Sequence, residues 1–243
     1  MEENNRTKEI GGNVALEIVE STQIKSAWSI KNSIWVAVVS FILGISIFAI
    51  AYIGMTQSSG IGSFNQPVLD WMISHRNNQI TSIMRFVTEL ADPLTFVILI
   101  SIIAVLWATI KKVIWRPILL IGSTGAAAIV STIIKSITIN SRPLTENMIA
   151  PFEMDYSFPS GHTISVVVFL LVLGYLVCSR RSSMARIVTW ITIVILGFGL
   201  IATSRLYLGY HWLTDVTASL GLGLVVLVTS IFIDIIVSKY IKD

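Results

Sequence analysis

Between Ile34 and Met55 the chain runs without a single charged residue and with almost nothing but apolar side chains. About 20 helical residues suffice to cross the hydrocarbon core of a bilayer, so a run of this kind predicts a membrane span. Five further stretches behave alike: Pro93 to Ile110, Pro117 to Ile134, Thr163 to Cys178, Ile187 to Thr203 and Val216 to Val237. The expectation is an all-α integral membrane bundle of six transmembrane helices. The fourth run is short as a purely apolar stretch, but its helix lengthens if it starts at Ser160 with the preceding Pro-Ser-Gly as its cap.

Composition agrees, with 54% hydrophobic and 13% charged residues among 243, far from soluble norms. The formal charge of +3 is small and dispersed over loops, which excludes an electrostatic nucleic-acid partner. Cys178 stands alone inside an apolar run, so an intrachain disulfide is impossible and a cysteine metal site is excluded. Met1 to Lys31 mixes Glu, Asn, Lys, Arg and Thr without the apolar core or cleavage site of a secretory signal, and reads as a retained polar tail. Residues 32–243 then form one membrane domain.

Lys111, Lys112 and Arg116, then Arg180, Arg181 and Arg186, then Lys239 and Lys242, fall on one side if six spans alternate. The positive-inside tendency makes that side cytoplasmic, together with both termini, in a multi-pass protein of the cell membrane. Thr56 to Asp92, Lys135 to His162 and Ser204 to Asp215 are then external. In the first of these, apolar residues such as Leu69, Trp71, Ile80 and Phe86 alternate with polar ones, a pattern that suits an interfacial helix or two, or a loop on the bundle rim.

Charges beside spans are costly and need partners or a function. Lys135, Arg142 and Arg205 are three cations on the predicted external face, enough to surround a phosphoryl group and neutralise its oxygens. Ser160 and Gly161 open a span, so the free N–H groups of a helix N-terminus would add anion-binding donors, and Gly161 would admit close backbone approach. His211 and Asp215 are four apart and share a helix face, where the carboxylate can fix one imidazole nitrogen and leave the other free as a nucleophile.

The order Lys135, six residues, Arg142-Pro143; Pro159-Ser160-Gly161-His162; Ser204-Arg205, five residues, His211, three residues, Asp215 resembles the three-part signature of the type-2 phosphatidic acid phosphatase superfamily at every position. That resemblance implies a metal-independent lipid phosphate or lipid diphosphate phosphatase with a phosphohistidine on His211, and His162 as the acid that protonates the leaving oxygen and then activates water. Lys135, Arg142, Ser160, Gly161 and Arg205 would bind the substrate phosphate. No cofactor and no metal are expected. The partners implied are a lipid phosphate substrate and membrane lipids. A polyprenyl (undecaprenyl) diphosphate is the favoured substrate, with phosphatidylglycerophosphate, phosphatidate, or phosphotransfer to another hydroxyl as alternatives. A haloperoxidase or a non-catalytic transporter fits less well, given six spans and an intact set of His162, His211 and Asp215. His75 matches no motif and reads as a loop residue; Gly44 and Gly221-Leu222-Gly223 read as close helix packing.

Overall fold

A computed structural model describes residues 30–179 and 183–240. The tail over residues 1–29, and Arg180, Arg181 and Lys242 of the basic clusters, lie outside them. The described chain forms eight α-helices: α1 Ile30–Gln57, α2 Asn65–Ser74, α3 Asn78–Leu90, α4 Pro93–Lys111, α5 Trp115–Thr138, α6 Gly161–Cys178, α7 Met184–Tyr207 and α8 Leu213–Val237, with 3-10 turns at Gly60–Phe64 and Thr145–Asn147. By length and composition α1, α5, α6, α7 and α8 are each long and apolar enough to cross a membrane, and α3 with α4, bent by 58° at their junction, make a sixth where the pair is counted as one span. Helices answer the demand that every backbone polar group in lipid be satisfied within the segment.

The central element is α6, where Ile164, Val167, Val168 and Val172 are wholly buried among α5, α7 and α8. By contrast α4 and α7 keep broad apolar faces outward, including Val97, Ile102, Val105, Ile191 and Leu196, as lipid-facing surfaces do. Small residues close the bundle. A Cβ on Gly44 of α1 would lie 2.8 Å from the Gly221 carbonyl of α8, and one on Gly221 would lie 2.6 Å from the Phe48 nitrogen. Both positions therefore carry the packing role expected of them, since only glycine lets these two backbones touch.

The end formed by the start of α5 and the last turns of α6 and α8 is tied by polar bonds: Asp234 accepts from Trp115 Nε1 at 3.0 Å and from the Tyr175 hydroxyl at 2.9 Å. Arg116, expected in a connecting loop, sits instead within the first turn of α5, buried, with Nη1 donating to the Leu176 carbonyl at 2.5 Å. The helix begins two residues ahead of Pro117, because proline is tolerated in a first turn and does not stop it.

At the other end the long connection between α5 and α6 folds over the helix termini. Arg76 holds it, donating to the Tyr207 carbonyl at 2.8 and 3.0 Å and to the Asn147 carbonyl at 2.8 Å. Gly209 lets the chain pass: its φ is +78°, and a Cβ there would fall 2.2 Å from Asn147 O. The segment before α4 does form two short helices, α2 and α3. The inner side of α3 packs on α7, while Ile83 and Phe86 point outward. His75 stacks on Trp71, with ring centroids 4.3 Å apart, away from the other two histidines.

Candidate active site

Five separate segments bring the signature residues together. Lys135 comes from the last turn of α5, Arg205 from the last turn of α7, Arg142 from the connection after α5, and His162 from the first turn of α6. His211 lies just ahead of α8, two residues before its first residue, and Asp215 lies in its first turn. Each span ends where its apolar run ends, so the sequence itself delivers these polar residues to a single rim.

Asp215 does two jobs with one oxygen. Its Oδ2 accepts from the Trp212 backbone N–H at 2.8 Å, capping α8, and lies 3.2 Å from His211 Nδ1. Arg142 Nη1 lies 3.2 Å from His211 Nε2. Arginine can only donate, so the Nε2 lone pair faces the guanidinium and the ring proton sits on Nδ1, against the carboxylate. Burial first, then the guanidinium charges of Arg142 and Arg205, hold the His211 imidazole well below the usual histidine range. It is a neutral ring with its free nitrogen aimed at the cation cluster.

Ser160 is placed differently from the other signature residues. It caps α6 by accepting from Thr163 N at 3.4 Å and the Thr163 hydroxyl at 2.9 Å, as the Pro-Ser-Gly start suggested. Its own N–H is directed at the Asp215 carbonyl at 3.4 Å, and it is fully buried. In this conformation Ser160 ties α6 to α8 behind the site, while Gly161 and His162 face the cavity. The first-turn amides of Gly161 and His162 have no intrahelical acceptor, as at any helix start.

Two acidic residues that periodicity and motif spacing do not mark complete the rim. Glu153 bridges the arginines, pairing with Arg205 Nη2 and, at 2.8 Å, with Arg142 Nη1. Asp155 pairs with Arg142 Nη2 and, at 2.5 Å, with Lys135 Nζ. Burial alone would raise the Asp155 carboxyl, but the Lys135 bond and the Arg142 charge hold it below its ordinary value. Thr88 of α3 accepts from Arg205 Nη1 at 2.6 Å, and the Arg205 guanidinium lies 4.4 Å from the centre of the Tyr210 ring. The only hint in the sequence is that Glu146, Glu153 and Asp155 cluster in the connection that also carries Arg142.

Lys135, Arg142, Glu153, Asp155, His162 and His211 line one end of a cavity of about 580 Å³. From Lys135 it follows α5 back past Ser131, Ala128 and Gly125 to Ile121, with Phe96, Val97 and Ile100 of α4 opposite. At 1.5 Å per residue that path is about 21 Å long, deeper than half of a hydrocarbon core about 30 Å thick. A cationic head thus continues into an apolar groove. Among the described residues no group of three or more His, Cys, Asp or Glu is arranged to hold a metal ion.

The profile of the PAP2 superfamily matches residues 116–235, which contain every residue of the rim signature. The chain belongs to the PAP2 superfamily. It is a membrane-spanning phosphatase of that family. The undecaprenyl-diphosphatase BcrC of Bacillus subtilis is 29% identical over 159 residues, covering 63% of this chain and 75% of that protein. Phosphatidylglycerophosphatase B of the same organism is 25% identical over 174 residues, covering 69% and 82%. The crystal structure of a transmembrane PAP2-type phosphatidylglycerolphosphate phosphatase from Bacillus subtilis shares the fold, with a TM-score of 0.66 and 22% identity over 82% of this chain and 98% of that one.

Proposed function

We propose that this PAP2 phosphatase removes the terminal phosphate of a polyprenyl diphosphate, through a phosphohistidine on His211 and without a metal. The observation that carries the lipid reading is the cavity whose cationic end opens into a groove of about 21 Å along α5. The diphosphate reading is supported by the likeness to an undecaprenyl-diphosphatase.

Lys135, Arg142 and Arg205 would neutralise the equatorial oxygens of the terminal phosphoryl group, where preorganised cations contribute most. The Nε2 lone pair of His211 attacks phosphorus, and the bond to the bridging oxygen breaks. His162, entering as the imidazolium, donates a proton to that oxygen and becomes neutral, releasing the lipid monophosphate. His162 then takes a proton from water, the hydroxide attacks the phosphohistidine, and inorganic phosphate leaves with His211 neutral again. Asp215 supports the positive charge that His211 carries while its phosphorus bond exists.

The site faces the outside of the cell in this reading, supported by Lys111, Lys112, Arg186 and Lys239 at the opposite end. Asn147→Cys should be labelled from outside intact cells, and labelling only after lysis would reverse the orientation. The function is tested by phosphate release in liposomes from undecaprenyl diphosphate, phosphatidylglycerophosphate and phosphatidate, with chelator throughout. The diphosphate should give the highest kcat/KM. A higher value for phosphatidylglycerophosphate would overturn the substrate, and loss of turnover in chelator would overturn the metal-free chemistry.

A further inference from the structure

Resting on the phosphatase reading of this site, we infer that Glu153, with Asp155 beside it, is an internal occupant of the phosphate cage that the incoming phosphoryl group must displace. The two oxygens of Glu153 are divided between Arg205 and Arg142, which come from different parts of the signature. Asp155 takes the remaining side of Arg142 and all that is seen of Lys135 pairing. Every cation expected to meet the substrate is therefore already paired with the connection between α5 and α6, two carboxylates being shared among three cations.

This arrangement and a reacting complex exclude one another. Glu153 Oε2 lies 4.0 Å from His211 Nε2, in front of the nitrogen proposed to attack. Reacting atoms need to approach to about 3–3.5 Å, and a phosphorus at that distance would claim the space the carboxylate fills. A permanent support for the arginines would leave the cage satisfied, and it is not. Arg205 Nε and Ser131 Oγ are buried without a hydrogen-bond partner among the described residues. A Cβ at Gly161 would meet only Ser131 Oγ, at 3.8 Å, so open space also remains beside that helix start. A planar carboxylate with two oxygens leaves these donors unmet, whereas a tetrahedral phosphoryl group has further oxygens to offer them.

The occupant sits on an irregular connection between the spans. Residues 148–160 have no helix or strand, and Met154, between the two acids, is 88% exposed. The segment competes as a tethered ligand does, lowering apparent affinity for phosphate by the fraction of time the cage stands open. The loop thereby sets how strong an anion must be to enter.

Equilibrium binding of inorganic phosphate to the purified full chain tests this without any choice of lipid. Glu153→Gln keeps the shape and removes the charge, and it should tighten the phosphate Kd roughly tenfold, with KM for the lipid falling in parallel. Asp155→Asn should act in the same direction, and Met154→Gln should leave the Kd unchanged. A Glu153→Gln variant that binds phosphate equally or more weakly would show that Glu153 supports the cage and would overturn the inference. Should that variant fail to fold, a spin label on Met154→Cys reports on a chain with both acids intact, Cys178 being buried. Saturating phosphate should speed the label's motion, and an unchanged line shape overturns displacement. Wild-type chain that binds phosphate but hydrolyses none of the lipids would refute the proposed function alone; lipid hydrolysis with phosphate binding absent from both the wild-type and the Glu153→Gln chain would refute the inference alone.

Discussion

Replacing Asp215 by Asn probes how His211 is held, and the geometry fixes the size of the effect. In a serine protease triad the same substitution costs about 10⁴ because the amide imposes the wrong imidazole tautomer. Here a single oxygen, Oδ2, accepts from the Trp212 N–H and faces His211 Nδ1. The asparagine carbonyl can occupy that position and keep both bonds, with its amide nitrogen in place of Oδ1. Arg142 Nη1 beside Nε2 opposes the other tautomer as well. What is lost is charge support for the imidazole as it bonds to phosphorus. A hydrogen bond to a charged group is worth about 1.5–3 kcal/mol against about 1 for a neutral one. The difference, about 0.5–2 kcal/mol, slows phosphorylation roughly two- to thirtyfold. Asp215→Ala, which also removes the cap of α8 and frees the ring, should slow it beyond about 10³-fold. Rapid acid-labile trapping of phosphoenzyme with an activated phosphate ester measures the step directly. An asparagine variant as inactive as His211→Ala, or one as fast as wild type, would refute the assignment of Asp215.

Arg142→Ala and Arg205→Ala should each lower phosphate release by roughly a hundredfold or more while the folded protein is retained, and near-normal turnover in either would remove that arginine from the cage. His162→Ala should stop turnover of ordinary lipid substrates yet accumulate phosphoenzyme from a substrate whose leaving group needs no proton; rapid release of the label from that variant would show that another group activates water. His211 also predicts a pH dependence. Its folded pKa lies below the usual ~6.5, so the unfolded chain binds more protons as pH falls through that value. Its contribution to stability is thus full above about pH 6.5 and declines on acidification. For the same reason the acid limb of phosphoenzyme formation should have its midpoint below 6.5, and a midpoint at or above that value contradicts a buried neutral nucleophile.

Hydropathy made the spans legible because lipid demands long uncharged helices, and helices occur at all six expected runs. The fourth starts at Gly161 with Ser160 as its cap. The rim was legible because Lys135, Arg142, His162, Arg205, His211 and Asp215 stand at span ends with fixed spacing. The capping role of Ser160 was legible in the Pro-Ser-Gly start, but its backbone ties to α8 were not, since a cap and an anion contact share the same residue type. Glu153 and Asp155 escaped detection for a different reason. They belong to a segment with neither helical nor strand periodicity, and only the folded connection brings them back onto cations 11 to 52 residues away. Arg116 shows the limit of counting basic residues for orientation, because a positive charge at a span end can be absorbed by carbonyls of the next helix.

The seam of Gly44 and Gly221 has a consequence for how the enzyme comes into being. The helix that supplies Asp215 leaves the ribosome after the other described spans, yet its most intimate neighbour is α1, which precedes them. Closure of the bundle waits on α8, and the register of α1 against it, set where Gly44 meets Gly221, also sets the helix start that carries Asp215.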